Sequence, residues 1–102
     1  MSERFFEQLQ IAEKLGREKG LLLIHICILG ILHVRDGFVS ERMLAKLTGV
    51  SAEAVLYRLE RLEGYGYVQR LRGVADRRKV YAKLTDAGRE FIHFINESIV
   101  KI

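Results

Sequence analysis

The chain has 102 residues, of which 49% are apolar and 29% charged, with a formal net charge of +4. This length predicts a single domain, and this balance of apolar and charged residues excludes an intrinsically disordered chain. The one cysteine, Cys27, excludes an internal disulfide framework and is typical of a reducing cytoplasm.

Two helices are predicted in the first third of the chain. The first runs from about Ser2 to Gly16, because apolar residues recur at spacings of three and four and Ser2 can cap its start. The second, LLLIHICILGILHV at residues 21–34, is predicted to be a fully buried core helix that ends in a glycine cap at Gly37. It is shorter than the roughly 20 residues that a membrane span needs, so no membrane association is expected.

A helix-turn-helix is predicted after a short extended segment at residues 38–39. Ser40 caps a third helix, ERMLAKL, and Ser51 caps a fourth, AEAVLYRLERLEGYG, after a tight turn that contains Gly49. The expected buried residues of the third helix are Met43, Leu44 and Leu47. Those of the fourth helix, at spacings of four and three, are Val55, Leu59 and Leu62.

A β-hairpin and a last helix complete the predicted order. YVQRLR and KVYAKLT are predicted strands on either side of the turn GVAD. In the second strand Val80, Ala82 and Leu84 share one face, whereas the first strand alternates less clearly and its inward face stays open. Thr85 is expected to cap the last helix. The order helix, helix, short strand, helix, helix, strand, strand, helix is that of a winged helix-turn-helix, mainly α with a small β-hairpin, over residues 1–102.

Positive charge is concentrated in the predicted hairpin. The segment RLRGVADRRKVYAK, residues 70–83, has six cations against one acid, a net charge of +5. Crowded like charges cost folding stability unless an anion normally lies against them, so the segment indicates a polyanionic partner. The alternative is a solvated hairpin with ordinary surface charges.

Several stretches resemble the MarR and PadR families of winged-helix transcription regulators. The resemblance spans about residues 38–95, and its most specific parts are LERLEGYGYV, DRR and LTDAGRE. It implies that Asp76, Arg77 and Arg78 help to seat the hairpin, or wing, on DNA. The fourth helix also resembles PadR recognition helices, which often carry a tyrosine at the position of Tyr57. The chain is shorter than most MarR proteins and lacks their second C-terminal helix. This leaves little room for an effector pocket, so the sequence predicts no particular small-molecule effector.

The fourth helix is the predicted reader of DNA bases. An α-helix fits the major groove, and the N-terminal half of a recognition helix points at the base edges. The predicted recognition residues are Ser51, Ala52, Glu53, Leu56, Tyr57, Arg58 and Arg61. Alternatively, Leu56 and Tyr57 pack against the wing or a partner chain, and Arg58 and Arg61 are surface charges. The predicted wing residues are Arg70, Arg72, Asp76, Arg77, Arg78, Lys79 and Lys83, with Asp76 orienting one of the arginines.

The first and last helices carry more apolar surface than one core face needs. This excess predicts an isologous homodimer interface, and the alternative is a larger monomeric core that absorbs both helices. The predicted interface residues are Phe5, Phe6, Leu9, Phe91, Phe94, Ile95 and Ile99.

These features predict a sequence-specific binder of double-stranded DNA. We expect a cytoplasmic, homodimeric transcription regulator that represses by excluding polymerase. No metal-ligand cluster, phosphate loop or nucleophile elbow occurs in the sequence, so a non-enzyme without metal or cofactor is expected. The alternative is a winged-helix protein-interaction module of a transcription assembly, which the acids Glu53, Glu60 and Glu63 in the fourth helix favour. Non-specific nucleic-acid packaging fits the modest net charge less well.

Overall fold

The computed structural model describes residues 2–101, so Met1 and Ile102 of the predicted domain lie outside the described residues. Within that range the helices are α1 (Glu3–Glu18), α2 (Leu23–Arg35), α3 (Glu41–Thr48), α4 (Ala52–Gly64) and α5 (Asp86–Val100). The strands are β1 (Val39–Ser40), β2 (Val68–Arg72) and β3 (Val80–Leu84), in one antiparallel sheet of order β1-β3-β2. The predicted winged helix-turn-helix order is therefore confirmed.

Side-chain caps begin four of the helices at the residues predicted from the sequence. The hydroxyls of Ser2, Ser40, Ser51 and Thr85 each accept a hydrogen bond of 3.1 Å from the backbone N–H three residues later. Each bond satisfies one of the N–H groups that the first turn of a helix leaves without an intrahelical partner. The helix starts therefore follow from local chemistry.

The core lies between α2, α4 and the inner face of the sheet. Val55, Leu59 and Leu62 of α4 are fully buried, as predicted, and they join Leu29 and Leu32 of α2 in one cluster. The inner face of β3 consists of Val80, Ala82 and Leu84, also as predicted.

The strand register decides which face of β2 turns inward. Val68 lies opposite Leu84, Arg70 opposite Ala82 and Arg72 opposite Val80. Residues directly opposite each other in an antiparallel pair share a face of the sheet. Two arginines of β2 therefore lie on the side of the sheet that faces the helices.

The prediction that α2 is fully buried was wrong. Cys27 is exposed and the Val34 residue is 81% exposed, while Ile28 on the opposite side is fully buried. A domain of this size has too few elements to cover a central helix on all sides, and apolar atoms form a large part of any folded surface. Leu47 of α3, predicted to be buried, is 45% exposed beside this open face of α2. Among the described residues, no helix combines the length and apolarity that crossing a bilayer requires.

Several helix ends differ from the predicted positions; for example, α2 begins at Leu23 instead of Leu21, and α4 ends at Gly64 instead of Gly66. The first helix continues past Gly16 to Glu18. Gly16 does not break the helix but lies buried within it, close to Ile26 of α2. At the end of α2 the capping residue is Asp36, with a φ of 54°, and not Gly37. Each of these differences shifts a boundary by one or two residues and leaves the element order unchanged.

Two residues predicted for the dimer interface lie in the core of the chain itself. Phe91 and Ile95 are only 7% and 2% exposed, because α5 packs them against the rest of the domain. Phe5, Phe6 and Phe94 are about half exposed, at 51%, 49% and 53%. The apolar face of α1 and α5 that remains open is therefore smaller than predicted.

Candidate nucleic-acid interface

The helix-turn-helix is formed by α3, α4 and the three residues between them. Gly49 ends α3 with a φ of 78°, in the left-handed region that glycine adopts without steric cost. Leu44 of α3 and Val55 of α4 are both fully buried and anchor the two helices to the core. This anchoring leaves the opposite side of α4 free.

The first half of α4 presents polar and aromatic groups to solvent. Tyr57 is 64% exposed, so its ring does not pack into the body of the chain. The Arg58 guanidinium lies 5.3 Å from the centroid of that ring, within the range of a cation–π interaction. Glu53 is also exposed, whereas Ala52 and Leu56 are partly buried. A donor, an acceptor and an aromatic face are thus displayed together.

Arg61, in the second half of α4, has partners within the chain. Its Nε and Nη2 donate to the carbonyl oxygen of Gly20 at 3.3 and 3.0 Å. Its guanidinium also lies 5.6 Å from the ring centroid of Tyr65. Gly20 is 41 residues away in the chain, so the sequence gave no signal of this contact. The structure therefore places this arginine against the connection between α1 and α2.

The wing, residues 68–84, ends in a tight loop. The N–H of Gly73 donates to the carbonyl of Lys79 at 2.8 Å, and the N–H of Lys79 donates to the carbonyl of Asp76 at 3.1 Å. A Cβ atom at Gly73 would lie 2.5 Å from that Asp76 oxygen, so a residue with a side chain would force the loop open. The glycine thus permits the close approach that shapes the tip.

Asp76 orients Arg78, in agreement with the expectation that it orients one wing arginine. Its Oδ1 accepts from the backbone N–H and Nε of Arg78 at 3.0 and 3.1 Å, and its Oδ2 accepts from Nη2 at 3.2 Å. These hydrogen bonds, with smaller contributions from the charges of Lys79 and Arg42, hold the pKa of the Asp76 carboxyl below its ordinary value. The Arg78 side chain nevertheless stays 92% exposed. A fixed guanidinium is therefore displayed at the tip.

The other wing cations differ in their partners. Arg70 is paired with Glu63 of α4 at 2.9 Å. Arg72 donates from Nη1 to the carbonyl of Arg77 at 3.1 Å, and Lys83 Nζ lies 5.0 Å from the ring centroid of Phe38. The salt bridges found within residues 2–101 leave four wing cations without a carboxylate partner. These four are Arg72, Arg77, Lys79 and Lys83.

One cation near the wing was not predicted. A cleft of about 460 Å³ separates the start of α3 from the wing, and Arg42, Arg78 and Lys79 are among the residues that line it. Arg42 comes close to the wing because β1 pairs with β3, which brings Ser40 opposite Tyr81. The sequence marked this segment only as a helix start, and the pairing that adds Arg42 to the basic surface has no local signal.

The comparisons with solved structures identify the fold. Overoxidized AbfR bound to DNA is 25% identical with a TM-score of 0.78, and the match covers 90% of this chain and 67% of that chain. AbsC, a MarR family transcriptional regulator from Streptomyces coelicolor, is 24% identical with a TM-score of 0.75 and coverages of 97% and 68%. A mutant MarR from E. coli complexed with operator DNA is 20% identical with a TM-score of 0.74 and coverages of 92% and 66%. The chain thus spans about two thirds of these proteins.

Two of these neighbours are MarR regulators by name, and they share the fold of this chain. A comparison with curated proteins gives no significant match. Residues 23–88 match the family described as the winged helix DNA-binding domain. That segment runs from α2 to the start of α5 and contains both the helix-turn-helix and the wing. The chain therefore belongs to the winged helix DNA-binding domain family.

Proposed function

We propose that this chain is a sequence-specific regulator of transcription that binds double-stranded DNA as a homodimer and represses by excluding polymerase. The observation that carries the proposal is the set of four wing cations without a carboxylate partner, next to an exposed recognition helix. Such cations repel one another in the free protein, and a bound anion relieves that repulsion. The regularly spaced phosphates of a DNA duplex can lie against several of these cations at once.

Helix α4 is the element that we place in the major groove. Tyr57 can donate a hydrogen bond to a base edge or pack on a thymine methyl group, and Glu53 can accept from a cytosine amino group. The exposure of both side chains supports this role. Of the acids in α4, Glu63 is already neutralised by Arg70, which weakens the case for a surface that repels DNA.

The wing is the element that we place at the minor groove and its phosphates. Arginine suits narrow, electronegative minor grooves, so Arg77 and Arg78 at the tip are the residues that enter. Arg72, Lys79 and Lys83 neutralise the flanking backbone, together with Arg42 across the cleft. AbfR and MarR, which share the fold, were crystallised on DNA, and this supports DNA binding by this chain.

A two-fold dimer would double a contact area that is small for one chain. We place the interface on α1 and α5, where Phe5, Phe6 and Phe94 are half exposed. Leu9 and Ile99 are partly buried at its edge, where Gln8 Nε2 donates to the carbonyl of Ile99 at 3.3 Å and ties the two helices together. The recognition helices of such a dimer would read half-sites about 34 Å apart.

Mobility shifts over a range of salt and competitor DNA test the proposal. Genomic fragments selected by the protein should stay bound in excess random DNA, whereas a packaging protein would be displaced. An interaction module would bind neither the selected nor the random DNA. Absence of any shift at low salt would refute the proposed function.

A further inference from the structure

One pair of charged residues joins the recognition helix to the wing. Arg70 of β2 donates from Nε and Nη2 to Oε1 of Glu63, in the last turn of α4, at 3.0 and 2.9 Å. The backbone N–H of Arg70 donates to the second oxygen, Oε2, at 3.3 Å. Three hydrogen bonds that engage both oxygens of one carboxylate fix its orientation as well as its position.

The sheet explains why Arg70 reaches α4 and not the solvent. Arg70 lies opposite Ala82, on the face of the sheet that turns towards the helices. Its side chain is 29% exposed, compared with 92% for Arg78 at the tip. The two arginines belong to the same hairpin, but the Arg70 side chain extends towards α4, whereas the Arg78 side chain extends into solvent.

The pair is charged at neutral pH. The side-chain hydrogen bonds from Arg70 lower the pKa of the Glu63 carboxyl below its ordinary value, and they outweigh the opposing effect of partial burial. The positive charge of Arg70 is therefore compensated before any phosphate approaches. Breaking the pair to reach DNA would leave Glu63 as an unpaired anion beside the phosphates.

The pair also lies at the junction between the recognition helix and the wing. Only Tyr65, Gly66 and Tyr67 separate α4 from β2, and Gly66 has a φ of 80°. Arg72, the last residue of β2, follows Arg70 by two residues, which corresponds to about 7 Å of extended chain, and the loop of the tip lies beyond it. A rotation of about 10° at this junction would move Arg72 by about 1.2 Å and the tip beyond it by more, which is enough to weaken a hydrogen bond to a phosphate.

We propose that Glu63 and Arg70 form a positioning pair that sets the angle between the recognition helix and the wing. With this angle fixed, α4 and the wing tip reach the major and minor grooves of one DNA site together. Arg70 then acts through geometry and is not itself a phosphate contact. The inference rests on the proposed function, because it assumes that both elements bind the same DNA.

The salt dependence of DNA binding separates a positioning role from a phosphate contact. Arg70→Ala and Glu63→Ala should each weaken binding up to about tenfold, with the slope of log affinity against log salt unchanged. The double variant should bind no more weakly than either single variant, because both remove the same interaction. The charge swap, Glu63→Arg with Arg70→Glu, should restore most of the loss. Arg72→Ala is the matched control on the same strand and face, and it should flatten the slope by about 0.9 per subunit.

Two results of the DNA titrations would overturn the inference, namely a flattening of the slope by about 0.9 per subunit in Arg70→Ala or tighter binding by Glu63→Ala. If the parent chain binds no DNA, the proposed function fails while the pair can still be tested. Spin labels at Glu60→Cys and Val74→Cys, in a Cys27→Ser background, report the distance between α4 and the wing tip in the free protein. That distance distribution should broaden in Glu63→Ala, and an unchanged distribution would refute the positioning role.

Discussion

Neutralising Arg77 is the most direct test of the wing. The Arg77 side chain takes part in none of the hydrogen bonds or salt bridges found within residues 2–101, so its removal breaks no contact of the free protein. Each phosphate that a cation neutralises contributes about 0.9 to the slope of log affinity against log salt. The four wing cations without a carboxylate partner therefore contribute about −3.6 to the slope for each subunit, or about −7.2 for a dimer with both wings on DNA, and affinity falls about 150-fold per subunit when salt rises fourfold.

Arg77→Gln should reduce the contribution of each subunit to the slope to about −2.7 and weaken binding about eightfold per subunit at about 0.1 M salt, equally on specific and random DNA. Fluorescence anisotropy titrations at several salt concentrations measure both quantities. Arg17→Gln is the matched control, since it removes the same charge from α1, where Arg17 is paired with Glu13. Identical slopes for Arg77→Gln and Arg17→Gln would refute the argument that the wing neutralises phosphates.

Three further expectations concern the bases, the dimer and pH. Tyr57→Phe should change the preference among DNA sites and leave the salt slope unaltered. Competition between selected fragments measures this preference, and an unchanged preference would exclude a base contact by the hydroxyl. Phe94→Asp should convert the dimer to a monomer in sedimentation equilibrium, because it puts a charge in the proposed apolar interface; a parent chain that is already monomeric would refute the interface. Burial, together with the charges of two nearby arginines, lowers the pKa of His25 from 6.5 to about 4. The unfolded state then takes up a proton at a higher pH than the folded state, so the free energy of unfolding should fall by up to about 3 kcal/mol as pH drops from about 6.5 to about 4. Urea unfolding measures this loss, which His25→Gln should remove and the exposed control His33→Gln should retain; a loss that persists in His25→Gln would rule out this origin.

The sequence alone determined the features that depend on neighbouring residues. Ser40, Ser51 and Thr85 begin their helices where predicted, because a hydroxyl caps an N–H only three residues away. The alternation of Val80, Ala82 and Leu84 fixed the inward face of β3 for the same local reason. The high density of cations in residues 70–83 indicated the wing from the sequence.

Tertiary structure decided what each of those cations does. Arg70 found its partner in α4, Arg61 found the Gly20 carbonyl, and Arg42 joined the wing through the pairing of β1 with β3. The open face of α2, which displays Cys27, likewise depends on how few elements pack around that helix. Composition and spacing report only how much charge or apolarity a segment contains. Whether a particular side chain meets solvent, carboxylate or carbonyl depends on residues distant in the chain, which only folding brings together.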